Sequence, residues 1–429
     1  MNRIRKNRRM KVAIINRSDR RGGAAMVSYR LMESLREAGI DARMIVMENL
    51  SSSPEVISVG SRMSDKIPFL AERLGIFIHN GFRRDTLFQI DTASDGLSLS
   101  SVPFVREADI ICLNWINQGM LSLKELKRLL SLGKPIVWTM HDQWCFTGIC
   151  HHTGECDRFI EECGYCPLLG SRKGKNDLSH KIWKKKKNCY HYAVGNCKNP
   201  ITFVAVSNWL RQRAKRSSLL SDQQVVVIPN AFPEQKEPDV VMQRDPKSIV
   251  FGAARLDDPV KGLPLLKEAL RLLKEEHPEL AEEVTLYTFG NFKNPASAEG
   301  FHVGHIHLGH LSDDRVIADT YRKARCVVSS SLWETLPGTL VEGQANGCIP
   351  VSFDRGGQSD IIDHLSTGYL AHFDCEDTPG NTRRLMEGIV WALENNHEGI
   401  EERMEESVKR KFDSHQIASQ YISLFESLL

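Results

Sequence analysis

What most constrains this chain is a pattern that runs through it twice: a short apolar run rich in β-branched residues, a loop, a helical pattern, then another such run. Lys11 to Asn16 is followed by Arg21-Gly22-Gly23-Ala24-Ala25, then by Val27, Leu31 and Leu35 at a spacing of four, with Gly39 as a stop and Ala42 to Met47 as the next run. Further runs lie at 109–114, 135–141, 201–206 and 225–228, and Ser207 reads as the N-cap of a helix through Lys215. The alternation then restarts. Runs at 248–253, 284–289, 326–330 and 349–353 alternate with helical patterns at 263–276, 313–323 and 339–346, and the chain ends in helical patterns at about 378–395, 399–411 and 415–428. Apolar strands that alternate with helices require parallel sheets with crossover helices, so the fold class is α/β.

Residues 232–247 carry three prolines and little periodicity, and read as a linker. The expected organisation is a first domain over 10–240 with a Cys-rich insert at 145–197, a second over 246–412, and a terminal helix over 413–429. Two open sheets joined in this way face a cleft, and ligands of such sheets bind beyond the carboxyl ends of the strands. Residues just after strands are therefore the ones to read for function.

Composition excludes several classes. Lys plus Arg number 56 against 54 Asp plus Glu, a net charge of +2, so charge gives no bulk argument for a nucleic-acid partner and any anion site must be local. No apolar run reaches the roughly 20 residues of a membrane-spanning helix. The start, MNRIRKNRRM, has no apolar stretch behind it of the kind a secretory signal needs. It reads as a flexible basic leader, with Met10 an alternative start. The expected location is the cytoplasm, where the eleven cysteines stay reduced.

The strongest segment is Ser330-Ser331-Leu332-Trp333-Glu334-Thr335-Leu336-Pro337-Gly338-Thr339-Leu340-Val341-Glu342. It places one carboxylate in a post-strand loop and another at a helix start, where exposed amides can bind phosphate and carboxylates can accept from sugar hydroxyls. Thr339 and Glu342 also have capping-box spacing, which would use Glu342 only to satisfy an amide. Upstream, Arg255 and Lys261-Gly262 flank a turn between a strand and a helix, a planar fork and a point charge suited to a diphosphate. Gly22-Gly23 lacks dinucleotide-binding spacing and reads as a turn or a close backbone approach. His141-Asp142 ends an apolar run, where a histidine can meet a sugar hydroxyl or move a proton.

Cys150, Cys156, Cys163 and Cys166 form C-x5-C-x6-C-x2-C, which fits a structural zinc or packed thiols equally well. Trp183 with Lys184 to Lys187, near Tyr190 and Tyr192, reads either as a solvated helix face or as a peripheral contact with an anionic membrane.

Together, Glu334 and Glu342, Arg255 with Lys261-Gly262, Pro229-Asn230, Gly22-Gly23 and His141-Asp142 resemble the family-4 retaining glycosyltransferases of GT-B fold. The segment from His141 to Pro167 resembles the subgroup that builds colanic acid and capsular polysaccharides. The resemblance implies two Rossmann-like domains and a last helix that crosses back to the first. It implies a hexosyltransferase that uses a nucleotide-diphospho-sugar donor, a glycan or lipid-linked acceptor and no catalytic cofactor, at the cytoplasm or the inner face of its membrane. Carried over by position, Glu334 would contact donor-sugar hydroxyls, Leu336 to Thr339 the diphosphate, Glu342 the ribose, and Arg255 and Lys261 the leaving group. Gly22, Gly23 and Asn230 would bind donor, and His141 the sugar. One departure is the stretch Asp257-Asp258-Pro259-Val260, which lengthens the usual arginine-to-lysine spacing. Other readings are an epimerase or phosphorylase of the same shape, and a zinc-knuckle protein that binds nucleic acid.

Overall fold

Parallel pairing of the apolar runs builds two sheets. In the first, β1 (Lys11–Ser18), β2 (Asp41–Glu48), β3 (Val56–Ser58), β4 (Ile110–Leu113), β5 (Ile136–Met140), β6 (Thr202–Ala205) and β7 (Gln224–Val227) lie in the order β3-β2-β1-β4-β5-β6-β7. In the second, β8 (Asp245–Arg255), β9 (Thr285–Asn291), β10 (Gly304–His307), β11 (Ala324–Ser329), β12 (Ile349–Phe353) and β13 (Tyr369–Ala371) lie in the order β10-β9-β8-β11-β12-β13. Every pair of neighbouring strands is parallel. This is the doubly wound order, in which the direction of strand addition reverses between β1 and β4 and again between β8 and β11. The expected α/β class with two Rossmann-like sheets is the one found.

The computed structural model describes residues 8–60, 66–196, 200–232, 243–394 and 397–429. Most of the expected linker, 233–242, lies outside the described residues, as do positions 1–7 of the leader and Cys197 at the end of the Cys-rich insert. The ends of both segments differ from the expectation. Asp245 already belongs to β8, and Arg8 pairs with Asp109 at 2.6 Å while the Met10 carbonyl accepts the Asp41 amide.

The chain divides into two units, one up to Ala231 together with Ser414–Leu429, the other Phe232–Asp413. In the first, Val12 to Ile15 are fully buried, as expected of a central strand covered on both faces. The terminal helix Ser414–Leu428 belongs here: Ile417, Ala418, Tyr421 and Phe425 pack with Tyr29, Met32 and Leu35 of the helix Gly23–Glu37. The Tyr421 hydroxyl bonds that of Thr139 at 2.9 Å. Burying one large apolar side chain is worth about 1.5–3 kcal/mol, so Ile417, Tyr421 and Phe425 anchor the helix to this unit. The second unit closes around Leu266, Leu270 and Leu273 from one helix and Leu385, Ile389 and Leu393 from another, packed with residues of β8 and β11. Among the described residues, no helix is long and apolar enough to cross a membrane.

Candidate active site

The switch point of the second sheet is where β8 and β11 deliver their loops side by side. After β8 the chain makes a single turn, Pro259–Lys261, whose start is capped by Asp258 Oδ1 accepting the Val260 amide at 3.1 Å. Gly262 then starts the helix Leu263–Glu276 at φ 64. A Cβ on Gly262 would sit 2.0 Å from the Ser330 carbonyl oxygen, so both the conformation and the contact demand glycine. The two loops are stitched together by Ser330 Oγ donating to the Lys261 carbonyl at 2.9 Å and by the Leu332 amide donating to the Val260 carbonyl at 2.8 Å. That stitching brings the Lys261 ammonium onto Glu334 Oε1. The stretched spacing after Arg255 is thus taken up by the Pro259–Lys261 turn.

Arg255 folds back on its own loop. Its Nε lies 3.1 Å from Asp257 Oδ1 and its Nη1 lies 3.6 Å from Asp258 Oδ2, and 42% of its side chain stays exposed. Burial pushes the Asp257 carboxyl up, but the amides of Lys293 and Asn294 and the Arg255 guanidinium outweigh it and hold the group below the usual range.

Beyond Glu334 the chain turns through Leu336 and Pro337 into the helix Gly338–Ala345. No side chain caps this helix: its N-cap is Pro337, and Thr339 sits inside the first turn. The capping box open to Thr339 and Glu342 is therefore not formed, and the first-turn amides point out of the helix start with its positive dipole end. Gly338 and Thr339 lie at that start, the threonine half-buried. Glu342 lies further along the helix, its charge near the buried Tyr321, whose hydroxyl burial pushes up and Glu342 pushes up further.

Sequence reasoning missed a third contributor, Arg355-Gly356-Gly357 after β12. The guanidinium lies 4.1 Å from the Trp333 ring and donates to the Leu332 carbonyl at 2.8 Å. Gly356, at φ 140, pairs with Glu334, and the Gly357 amide donates to the Glu334 carbonyl at 3.0 Å. Side chains on either glycine would collide with the backbone of Glu334 or Thr335. A Gly-Gly pair directly after an apolar strand was the available signal.

The other predicted residues belong to the first unit. Gly22 is the N-cap of the helix Gly23–Glu37 at φ 89. A Cβ on Gly22 or Gly23 would meet nothing within 4 Å, so the turn rather than crowding requires glycine. Asn230 follows β7, half-buried. His141 directly follows β5, and its Nε2 lies 2.9 Å from Asn114 Oδ1, a pairing that puts the ring proton on Nε2 as donor. Burial pushes its pKa down to about 4 against the pull of Asp142, so the ring is neutral at pH 7. Asp142 accepts from Trp115 Nε1 at 2.9 Å, His151 Nδ1 at 2.7 Å and the Trp144 amide at 2.8 Å. Burial opposes ionisation of Asp142, but His151 and the amide prevail and hold it at about 2.

Among the described residues, no three His, Cys, Asp or Glu side chains gather closely enough to hold a metal ion. Cys150, Cys156, Cys163 and Cys166 nevertheless lie near enough to act on one another electrostatically. Cys163 Sγ accepts the Gly148 amide at 3.1 Å, and burial pushes Cys150 up to about 11 and Cys163 to about 12. The lysine run is not a uniformly solvated face. On the helix Leu178–Asn196, Lys186 is fully buried with Ile182, Trp183, Cys189 and Tyr190, and its ammonium donates to the Trp144 and Thr147 carbonyls at 2.5 and 3.1 Å.

Residues 232–411, nearly all of the second unit, match the family described as glycosyl transferases group 1. The Escherichia coli K12 protein named for colanic acid biosynthesis as glycosyl transferase WcaC is 24% identical over 343 residues, 77% of this chain and 79% of that one. The Bacillus subtilis spore coat protein SA is 27% identical over 192 residues, 42% of this chain and 49% of that one. Among solved structures, Anabaena Alr3699/HepE in complex with UDP and glucose superposes with a TM-score of 0.60 at 16% identity, covering 98% of this chain and 100% of that one. Sucrose-phosphate synthase from Thermosynechococcus elongatus gives 0.61 at 15% identity, covering 98% and 99%. These structural likenesses establish the fold, which is that of GT-B enzymes.

Proposed function

We propose that this chain, a group 1 glycosyltransferase, moves a hexose from a nucleotide-diphospho-sugar to a hydroxyl of a glycan or lipid-linked acceptor, with retention of anomeric configuration, in the synthesis of a cell-surface polysaccharide. The observation that carries the reading is the meeting of Lys261 with Glu334 beside the uncapped start of the helix Gly338–Ala345. A cation, a carboxylate and a row of outward amides at a sheet's switch point offer a diphosphate and a sugar their complementary groups at once.

In this reading the amides of Gly338 and Thr339 and the Lys261 ammonium hold the diphosphate, and Glu334 accepts from the sugar hydroxyls. Because Glu334 fixes the ammonium, Lys261 meets the leaving group from a set position, and charge that develops on the departing phosphate is stabilised without reorganisation. Arg255 adds positive charge once it exchanges Asp257 and Asp258 for phosphate. Glu342 takes the ribose hydroxyls. In the first unit, Gly22, Gly23 and Asn230 serve the donor, and neutral His141 is a hydrogen-bond partner for the transferred sugar rather than a cation. A front-face route, in which the leaving phosphate takes the acceptor's proton, requires no protein nucleophile.

UDP-sugars are the first donors to try, because UDP accompanies Alr3699/HepE in its structure. Polysaccharide synthesis follows the name of the Escherichia coli relative. The test is a thermal-shift panel of UDP-, GDP- and ADP-hexoses, followed by NMR of the anomeric proton in the product of the stabilising donor. One nucleotide class raising the melting temperature, with retained configuration in the product, supports the reading. An inverted product ends the retaining assignment, and a flat panel ends the donor assignment.

A further inference from the structure

The helix Lys66–His79 is turned inside out. Its one acid, Glu72, and its arginine, Arg73, lie with Ile76 on the buried side. Arg73 donates to Asp91 at 2.7 Å and to the carbonyls of Leu87 and Ile90, while Glu72 Oε1 accepts from the amide and hydroxyl of Thr92 at 3.0 and 2.9 Å. The opposite arc of the helix carries Ile67, Leu70, Leu74 and Ile78, spaced by three and four residues. Their exposures are 67, 59, 60 and 48%. Phe82, 61% exposed, continues this surface by packing edge-on against Phe77 of the same helix. Single exposed leucines are ordinary on any surface, but an unbroken stripe on a helix that sends its ions inward is not.

We propose that this face lies on the surface of a bilayer that contains anionic lipid, with the helix in the headgroup plane and its stripe in the acyl boundary. Charge selects that occupant. Exposed Lys66 stands at one end of the stripe, and exposed Arg84 lies just beyond the other. Among the described residues, no acid of the helix faces out, and the first exposed acid after it, Asp85, is held by Arg83. Two copies docked stripe to stripe about a two-fold axis would oppose these cations with nothing to answer them, whereas anionic headgroups do. The lysine run at 184–187 exposes Lys184 and Lys185 but offers no comparable apolar stripe, since its neighbours Trp183 and Tyr190 are buried. The inference stands independently of the sugar-transfer reading.

The test is flotation of the full chain with phosphatidylcholine vesicles, with and without phosphatidylglycerol. Leu70→Glu combined with Leu74→Glu is compared with wild type and with Val316→Glu, a substitution at a site 46% exposed on a helix of the second unit. Wild type and Val316→Glu should float with the phosphatidylglycerol vesicles, and the double variant's partitioning should fall about tenfold or more at an unchanged melting temperature. The proposal is overturned if the double variant floats as well as wild type, or if wild type floats with neither vesicle. A concentration-dependent wild-type dimer in light scattering that the double variant abolishes, without flotation, would assign the face to a second copy instead.

Discussion

Lys261 and Glu334, 73 residues apart in sequence, form an ion pair across the two loops that flank the β8–β11 reversal. Neither side chain is deeply buried, with 31% of the lysine and 17% of the glutamate exposed, so the pair adds little to stability. Its value lies in where it stands. Lys261→Ala and Glu334→Ala should each lower kcat/KM for transfer about 100-fold or more while leaving the melting temperature within a few degrees of wild type. Initial rates with the stabilising donor, set beside thermal unfolding, check this. Near-wild-type rates in both variants would remove the site assignment.

The two N-terminal glycines of the helices Gly23–Glu37 and Leu263–Glu276 separate conformation from crowding. Gly22 has φ 89 with nothing near its Cβ position, whereas Gly262 has φ 64 and the Ser330 carbonyl 2.0 Å away. Gly22→Ala therefore costs only backbone strain, about 1–2 kcal/mol. Gly262→Ala must also push the two site loops apart, and should cost clearly more, on the order of 3 kcal/mol, with loss of donor binding. Urea unfolding of the two variants checks the order.

His141 should make the first unit acid-sensitive. Its pKa is pushed from the ordinary 6.5 down to about 4 by burial. The unfolded chain therefore takes up a proton near 6.5 that the folded chain refuses until about 4. Its contribution is present above 6.5 and is lost as pH falls through that window, a change of roughly 2–3 kcal/mol. The stability of His141→Gln relative to wild type should rise by that amount between pH 7 and pH 4, read from urea unfolding at each pH. A pH-independent difference would mean that the imidazole is not desolvated as the structure has it.

Much of this was legible in the chain, and the exceptions have physical reasons. Strand alternation fixes parallel sheets, and reading post-strand loops led to Lys261, Glu334 and the Pro337–Thr339 turn. Strand order is not written in local periodicity, so the reversals that bring Lys261 to Glu334 emerge only in three dimensions. The strands β3 and β13 are three residues long, too short for a period to register, and β10 is Gly-His-Ile-His, which offers no apolar run. Lys186 was hidden by the charges on either side of it, although Ile182, Trp183, Cys189 and Tyr190 place it on the apolar face at helical spacing. The helix Lys66–His79 went unread in the sequence, and its apolar stripe faces out where such a stripe ordinarily points inward.

The central claim is that the loops after β8 and β11 bind a nucleoside diphosphate through Lys261. Calorimetric titration of UDP, GDP and ADP into wild type and Lys261→Ala tests it without dependence on acceptor or turnover. The account predicts saturable one-to-one binding of one diphosphate to wild type, weakened about tenfold or more in the variant, the loss of one charge-assisted contact. Equal affinity for both proteins, or no binding of any of the three to wild type, would contradict it.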